Sequence, residues 1–140
     1  MQSGGEDPLK CWKSEEKGAG CPSFCSLLPH YTYADLAKLL KLPLLVVAAN
    51  RLGVINHLLL TLEHASCRGQ RGLGYVLNQV TSEPSLAAET NAAALLSLTS
   101  VPCLGEIPYI EGLEAKQSSL ADLFEQHLDL GPMEAVLPRR

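Results

Sequence analysis

From Tyr31 onward the chain alternates between helical and extended hydrophobic patterns. Thr32 can cap a helix over residues 33–40, where Leu36, Leu39 and Leu40 recur at helical spacing. Pro43 ends it. Leu44-Leu45-Val46-Val47-Ala48-Ala49 is continuously apolar and partly β-branched, the pattern of a strand buried on both faces of a parallel sheet. After a short loop, Ile55, Leu58, Leu59 and Leu62 mark the apolar face of a second helix over residues 54–66. A polar turn, Arg68-Gly69-Gln70-Arg71-Gly72, leads into a short apolar strand at 73–77. Pro84 or Ser85 opens an alanine-rich third helix that runs to about Leu98. Residues 102–108 leave room for a brief third strand, and Ser118 or Ser119 can cap a last helix to about Leu128.

This order predicts an α/β fold, a parallel sheet with helices packed on its faces. Residues 1–30 carry neither period. With Gly4-Gly5, Pro8, Gly18 and Gly20 among charges, they read as an irregular segment. Residues 31–128 read as a partial α/β domain, and residues 129–140 as a frayed tail.

Composition narrows the function classes. Of the 140 residues, 46% are hydrophobic and 19% charged, as in a globular domain. The net charge of −4 gives no electrostatic case for nucleic acid or an anionic membrane as the main partner. No apolar run reaches the length of about 20 residues that a bilayer span needs, and residues 1–30 lack the apolar core of a secretory signal. The five cysteines, Cys11, Cys21, Cys25, Cys67 and Cys103, are an odd number, which points to reduced thiols and a cytoplasmic location.

In a parallel sheet, ligands bind beyond the carboxyl ends of the strands. Three loops follow strands here. In Arg51-Leu52-Gly53-Val54-Ile55-Asn56-His57, a glycine precedes a helix start whose free amides can take a carboxylate or phosphate; the plainer reading is a tight turn. Asn78, with Gln79 beside it, can offer a donor and an acceptor to a purine edge, or cap a loop through its own backbone. Pro108-Tyr109 can flank a planar base, or simply end a strand. Weaker signals are Cys21, Cys25 and His30 with Cys11 upstream, which match no strong zinc spacing. His57 and His64 lie seven apart on one helix, and Glu63 and Glu106 are lone carboxylates. Nothing in the chain matches the phosphate loop GxxxxGK[ST]; Lys17-Gly18-Ala19-Gly20 lacks its spacing.

Five runs carry a family resemblance: Tyr33-Ala34-Asp35-Leu36, Leu42-Pro43-Leu44-Leu45-Val46-Val47, Leu52-Gly53-Val54-Ile55-Asn56-His57, Gly74-Tyr75-Val76-Leu77-Asn78 and Leu104-Gly105-Glu106-Ile107-Pro108-Tyr109. In order and separation they resemble the C-terminal half of ATP-dependent dethiobiotin synthetases. Other P-loop relatives, such as cobyrinate amidases and MinD-like ATPases, usually lack both the LGxINH and the LGEIPY run. The resemblance implies the C-terminal portion of a P-loop NTPase-like sheet. It implies a homodimeric cyclo-ligase that uses ATP and Mg²⁺ to convert 7,8-diaminopelargonate and CO₂ to dethiobiotin, through a phosphorylated carbamate. Position by position, Gly53, Val54, Ile55 and Asn56 match the site of the substrate carboxylate, which the resemblance implies one subunit contributes to its partner's site. Asn78 and Gln79 match the adenine-recognition position, and Pro108, Tyr109 and Ile110 the segment lining the base.

The same resemblance assigns this chain no catalytic residue and no metal ligand. The family's phosphate loop and catalytic lysine have no counterpart in it, and Lys17 stands where the family's EGAGG segment has its Mg²⁺-binding glutamate, with Glu16 one place off. The match breaks over residues 21–29 and resumes at Tyr31, which leads to the expectation of a truncated or frame-shifted form, inactive alone. The alternatives are a non-catalytic dimerisation module, the partner of a separately encoded N-terminal half, or another P-loop ATPase such as an amidotransferase.

Overall fold

The protein is described by a computed structural model covering residues 26–28, 31–112 and 120–136. Its elements are β1 (Ser26–Leu28), β2 (Tyr31–Thr32), α1 (Tyr33–Leu40), β3 (Leu44–Ala49), α2 (Val54–Cys67), β4 (Gly72–Asn78), α3 (Leu86–Leu98), β5 (Cys103–Ile107), α4 (Leu120–His127) and α5 (Gly131–Glu134). The expected alternation of helix and strand holds from α1 to α4. β1 pairs antiparallel with β2, a small element where only irregular chain was expected. α5 adds a turn of helix within the segment read as a tail.

Three strands form one parallel sheet in the order β3-β4-β5. β4, the central strand, is the most buried: Tyr75, Val76 and Leu77 are all at or below 1% exposure. Val54, Leu58 and Leu62 of α2 and Leu95 of α3 pack with Tyr75 and Leu77, and Val46, Ala48 and Cys103 join them. Both long helices therefore cover the same face of the sheet. α2 buries Val54, Leu58, Leu62 and Ala65, and the expected Ile55 and Leu59 flank that stripe half-buried. Fully burying a leucine of this kind contributes roughly 1.5–3 kcal/mol.

Gly74 lets β4 and β5 approach. A Cβ there would lie 2.6 Å from Leu104 Cγ and 2.9 Å from the Pro102 carbonyl oxygen. β5 is held from its other side by the end of α4. Gly105 bridges Leu128 antiparallel, and the Asp129 amide donates to the Leu104 carbonyl at 2.7 Å.

α1 starts as its sequence predicts. Thr32 and Asp35 form a capping box, with the Thr32 amide donating to Asp35 Oδ2 at 2.8 Å and the Asp35 amide to Thr32 Oγ1 at 3.4 Å. These bonds to Thr32 hold the Asp35 carboxyl below the usual carboxylate range. Gln70 Nε2 donates to the Ala34 carbonyl at 2.8 Å and ties α1 to the turn before β4. The leucine face of α1 is not buried, however: Leu39 is 70% and Leu40 54% exposed.

Candidate functional site

The three loops picked from sequence lie side by side at the carboxyl ends of the strands. The Asn50 amide donates to the Asn78 carbonyl at 2.7 Å, and the Gln79 amide to the Ile107 carbonyl at 2.8 Å. These bonds extend the strand pairing one step past each strand end. They place the start of α2, the Asn78-Gln79 pair and the Ile107-Pro108 turn in one row.

At the first position Gly53 adopts φ +90, the left-handed region that a side chain would strain. It caps α2 without a side-chain bond. The Val54 amide reaches the Arg51 carbonyl at 3.1 Å, and the His57 amide the Gly53 carbonyl at 3.3 Å. Ile55 and Asn56 are therefore the first-turn amides that no backbone carbonyl takes. The Val54 side chain is buried in the core. Arg51, Asn56 and His57 are exposed around this helix start, which adds a cation at its rim.

At the second position Asn78 is half-buried and its side-chain amide bonds to no described residue. Its backbone carbonyl accepts from the Asn50 amide, and its backbone pairs with Ala49 of β3 and Ile107 of β5. Gln79 is also half-buried. At the third position Pro108 and Tyr109 are exposed and Ile110 is half-buried.

One part of the arrangement was missed from sequence. Asn50 and Asn91 are the buried polar residues beneath these loops, at 6% and 4% exposure. Asn91 Nδ2 donates to Asn50 Oδ1 at 2.8 Å and to the Arg51 carbonyl at 3.2 Å, while Asn50 Nδ2 donates to the Ala88 carbonyl at 3.0 Å. α3 thereby fixes the loop that presents Gly53 and the α2 amides. The signal was available: an asparagine amid the alanines of α3 is a poor helix former and wants a specific partner.

The row fits one end of a nucleotide better than the other. An unengaged asparagine amide can offer a donor and an acceptor to a planar base. Among the described residues no group of His, Cys, Asp and Glu can hold a metal ion, and the sequence has no phosphate loop. Cys67 is exposed and Cys103 half-buried. Cys11, Cys21, Cys25, His30, Glu16, Lys17 and the 17–20 glycine segment lie outside the described residues, as do Ser118 and Ser119. Glu63 and Glu106 are exposed, in keeping with solvated surface. No helix among the described residues is long and apolar enough to cross a membrane.

Comparison with known proteins agrees with the fold. Residues 25–117 match the family model described as an AAA domain. The ATP-dependent dethiobiotin synthetase of Bacillus velezensis is 35% identical over 101 residues, 72% of this chain and 42% of that protein. Those of Cellvibrio japonicus and of Pseudomonas aeruginosa strain LESB58 are 38% and 40% identical over 107 residues, 76% of this chain and 44% of each relative. The chain spans less than half the length of these curated relatives. It belongs to the AAA-domain family, and within it is similar to the ATP-dependent dethiobiotin synthetases.

Proposed function

We propose that this chain carries the base-recognising and carboxylate-recognising part of a dethiobiotin-synthetase site, in biotin biosynthesis in the cytoplasm. Its ligands are the adenine end of ATP and the carboxylate of 7,8-diaminopelargonate. The observation that carries the reading is the row of strand ends, in which an unengaged Asn78 amide sits next to a helix start with two untaken amides. Each recognises the chemistry that the relatives' reaction presents. Asn78 offers a donor and an acceptor to a purine edge, with Gln79 beside it and Pro108, Tyr109 and Ile110 lining the base. The Ile55 and Asn56 amides, with Gly53 allowing close approach and Val54 anchoring the turn, favour an anion through direct hydrogen bonds and the helix dipole.

These groups bind and orient; none moves a proton or stabilises a transferring phosphoryl group. Phosphoryl transfer requires cations placed on the phosphate oxygens, and the sequence contains no GxxxxGK[ST] loop to place them. The reaction itself, with its Mg²⁺, depends on polypeptide that these 140 residues do not provide.

Amide chemical shifts test the recognition roles directly. Titrating the isotope-labelled chain with adenosine is expected to move the Asn78 side-chain resonances. Titrating it with 7,8-diaminopelargonate is expected to move the Ile55 and Asn56 amides. Perturbations that fall elsewhere, or none at millimolar ligand, would remove the basis of this reading.

A further inference from the structure

The turn that leads into α2 is held at both ends and bare between them. Asn50 and Val54 are 6% and 5% exposed. Between them Arg51, Leu52 and Gly53 are all exposed, Leu52 at 86%. No described atom beyond the adjacent residues lies within 4 Å of where a Cβ on Gly53 would stand. Apolar packing therefore does not set the path of this turn; hydrogen bonds do.

Those bonds converge on one side chain of α3. The Val54 amide closes the turn onto the Arg51 carbonyl at 3.1 Å. The same carbonyl has a second lone pair, and it accepts from Asn91 Nδ2 at 3.2 Å. Asn91 Nδ2 also donates to Asn50 Oδ1 at 2.8 Å, and Asn50 Nδ2 reaches the Ala88 carbonyl on the preceding turn of α3. Asn91 lies 40 and 41 residues from these partners. It does little for its own helix: asparagine is a poor helix former, and a leucine there would suit both the helix and the buried surroundings better. What position 91 supplies is a pair of donations to the turn.

We infer that Asn91 is a positioning residue for the carboxylate end of the site. Through Asn50 and the Arg51 carbonyl it sets where the chain turns at Gly53, and so the aim of the Ile55 and Asn56 amides. Asn91 itself touches no ligand. Hydrogen bonds weaken steeply as donor and acceptor leave alignment, so a turn released from α3 would present the same amides with less effect. This rests on the functional reading above for the ligand, while the network rests on the hydrogen bonds alone.

The test compares the affinity of the full 140-residue chain and three variants for 7,8-diaminopelargonate, read from the Ile55 and Asn56 amide shifts. Asn91→Leu keeps a side chain of similar size and removes both donations. Asn50→Ala breaks the same pair from the side of the turn, and carries the test if the first variant does not fold. Leu95→Val is the control: Leu95 is fully buried one turn further along α3, and trimming it loosens the packing of that helix without touching the network. Circular dichroism reports folding. Asn91→Leu and Asn50→Ala are each expected to raise the Kd by about ten-fold, a change of about 1.4 kcal/mol. In the ligand-free chain they should also displace the Ile55 and Asn56 resonances. Leu95→Val should leave the Kd within about two-fold, as an independent site does.

An unchanged Kd in the folded Asn91→Leu chain, or an equal loss in Leu95→Val, would overturn the positioning role and leave the functional reading standing. If neither network variant folds, the pair is a determinant of folding and the positioning role falls as well. A parent chain whose Ile55 and Asn56 amides do not respond to diaminopelargonate would fault the functional reading itself, and the positioning role with it.

Discussion

Tyr75 shows how a single buried group sets a local energy. It is fully buried and its hydroxyl has no hydrogen-bond partner. The neighbouring Cys103 thiol instead donates to the Gly105 carbonyl at 3.7 Å. A buried hydroxyl without a partner costs about 1–3 kcal/mol in desolvation. Tyr75→Phe is therefore expected to leave stability unchanged or raise it by about 1 kcal/mol, measured by urea unfolding at pH 7. The same environment gives a second readout. Burial, then the nearby Cys103, pushes the Tyr75 hydroxyl up to about 12. Above about pH 10 an unfolded chain ionises this tyrosine while the folded one keeps its proton. Stability should therefore fall from about pH 10 to 12, and the phenylalanine variant should fall less steeply. An equal fall in both would show that Tyr75 is not the group responsible. Asn50 and Asn91 are the opposite case, buried polar groups whose side chains are hydrogen-bonded to hold a loop.

At the scale of elements, the sheet depends on two close approaches at glycine. Gly105 has φ +140, and a Cβ there would collide with the His127 carbonyl oxygen. Gly105→Ala should cost about 2 kcal/mol or more, and the end of α4 should exchange its amide protons faster as the Leu128 bridge opens. Retained protection at Leu128 and Asp129 would contradict this role. Helix and strand positions were legible because each run has one period and a clear stop. Thr32, Pro43 and Ser85 mark boundaries that the structure keeps, and β3 begins and ends where its apolar run does. Burial was less legible. The leucines of α1 have the spacing of a core face, yet Leu39 and Leu40 stay exposed, because period alone does not say whether a neighbouring element arrives. That the three loops lie side by side was readable from their place after strands. Their support was not, because the Asn50–Asn91 pair joins residues 41 apart in sequence.

For the whole molecule, the hydrophobic pattern predicts a parallel sheet with helices packed on its faces. α2 and α3 cover one face, the end of α4 closes the β5 edge, and no described strand pairs with the outer side of β3. The groups proposed for recognition lie in a row at the strand ends, and no described group of His, Cys, Asp and Glu can hold a metal ion. The proposed division between recognition and chemistry can be assayed as ATP-dependent dethiobiotin formation from 7,8-diaminopelargonate and CO₂ with the purified 140-residue chain. No product above the uncatalysed background is expected, at any ATP or Mg²⁺ concentration. Sustained turnover by the chain alone, lost on heat unfolding, would contradict it.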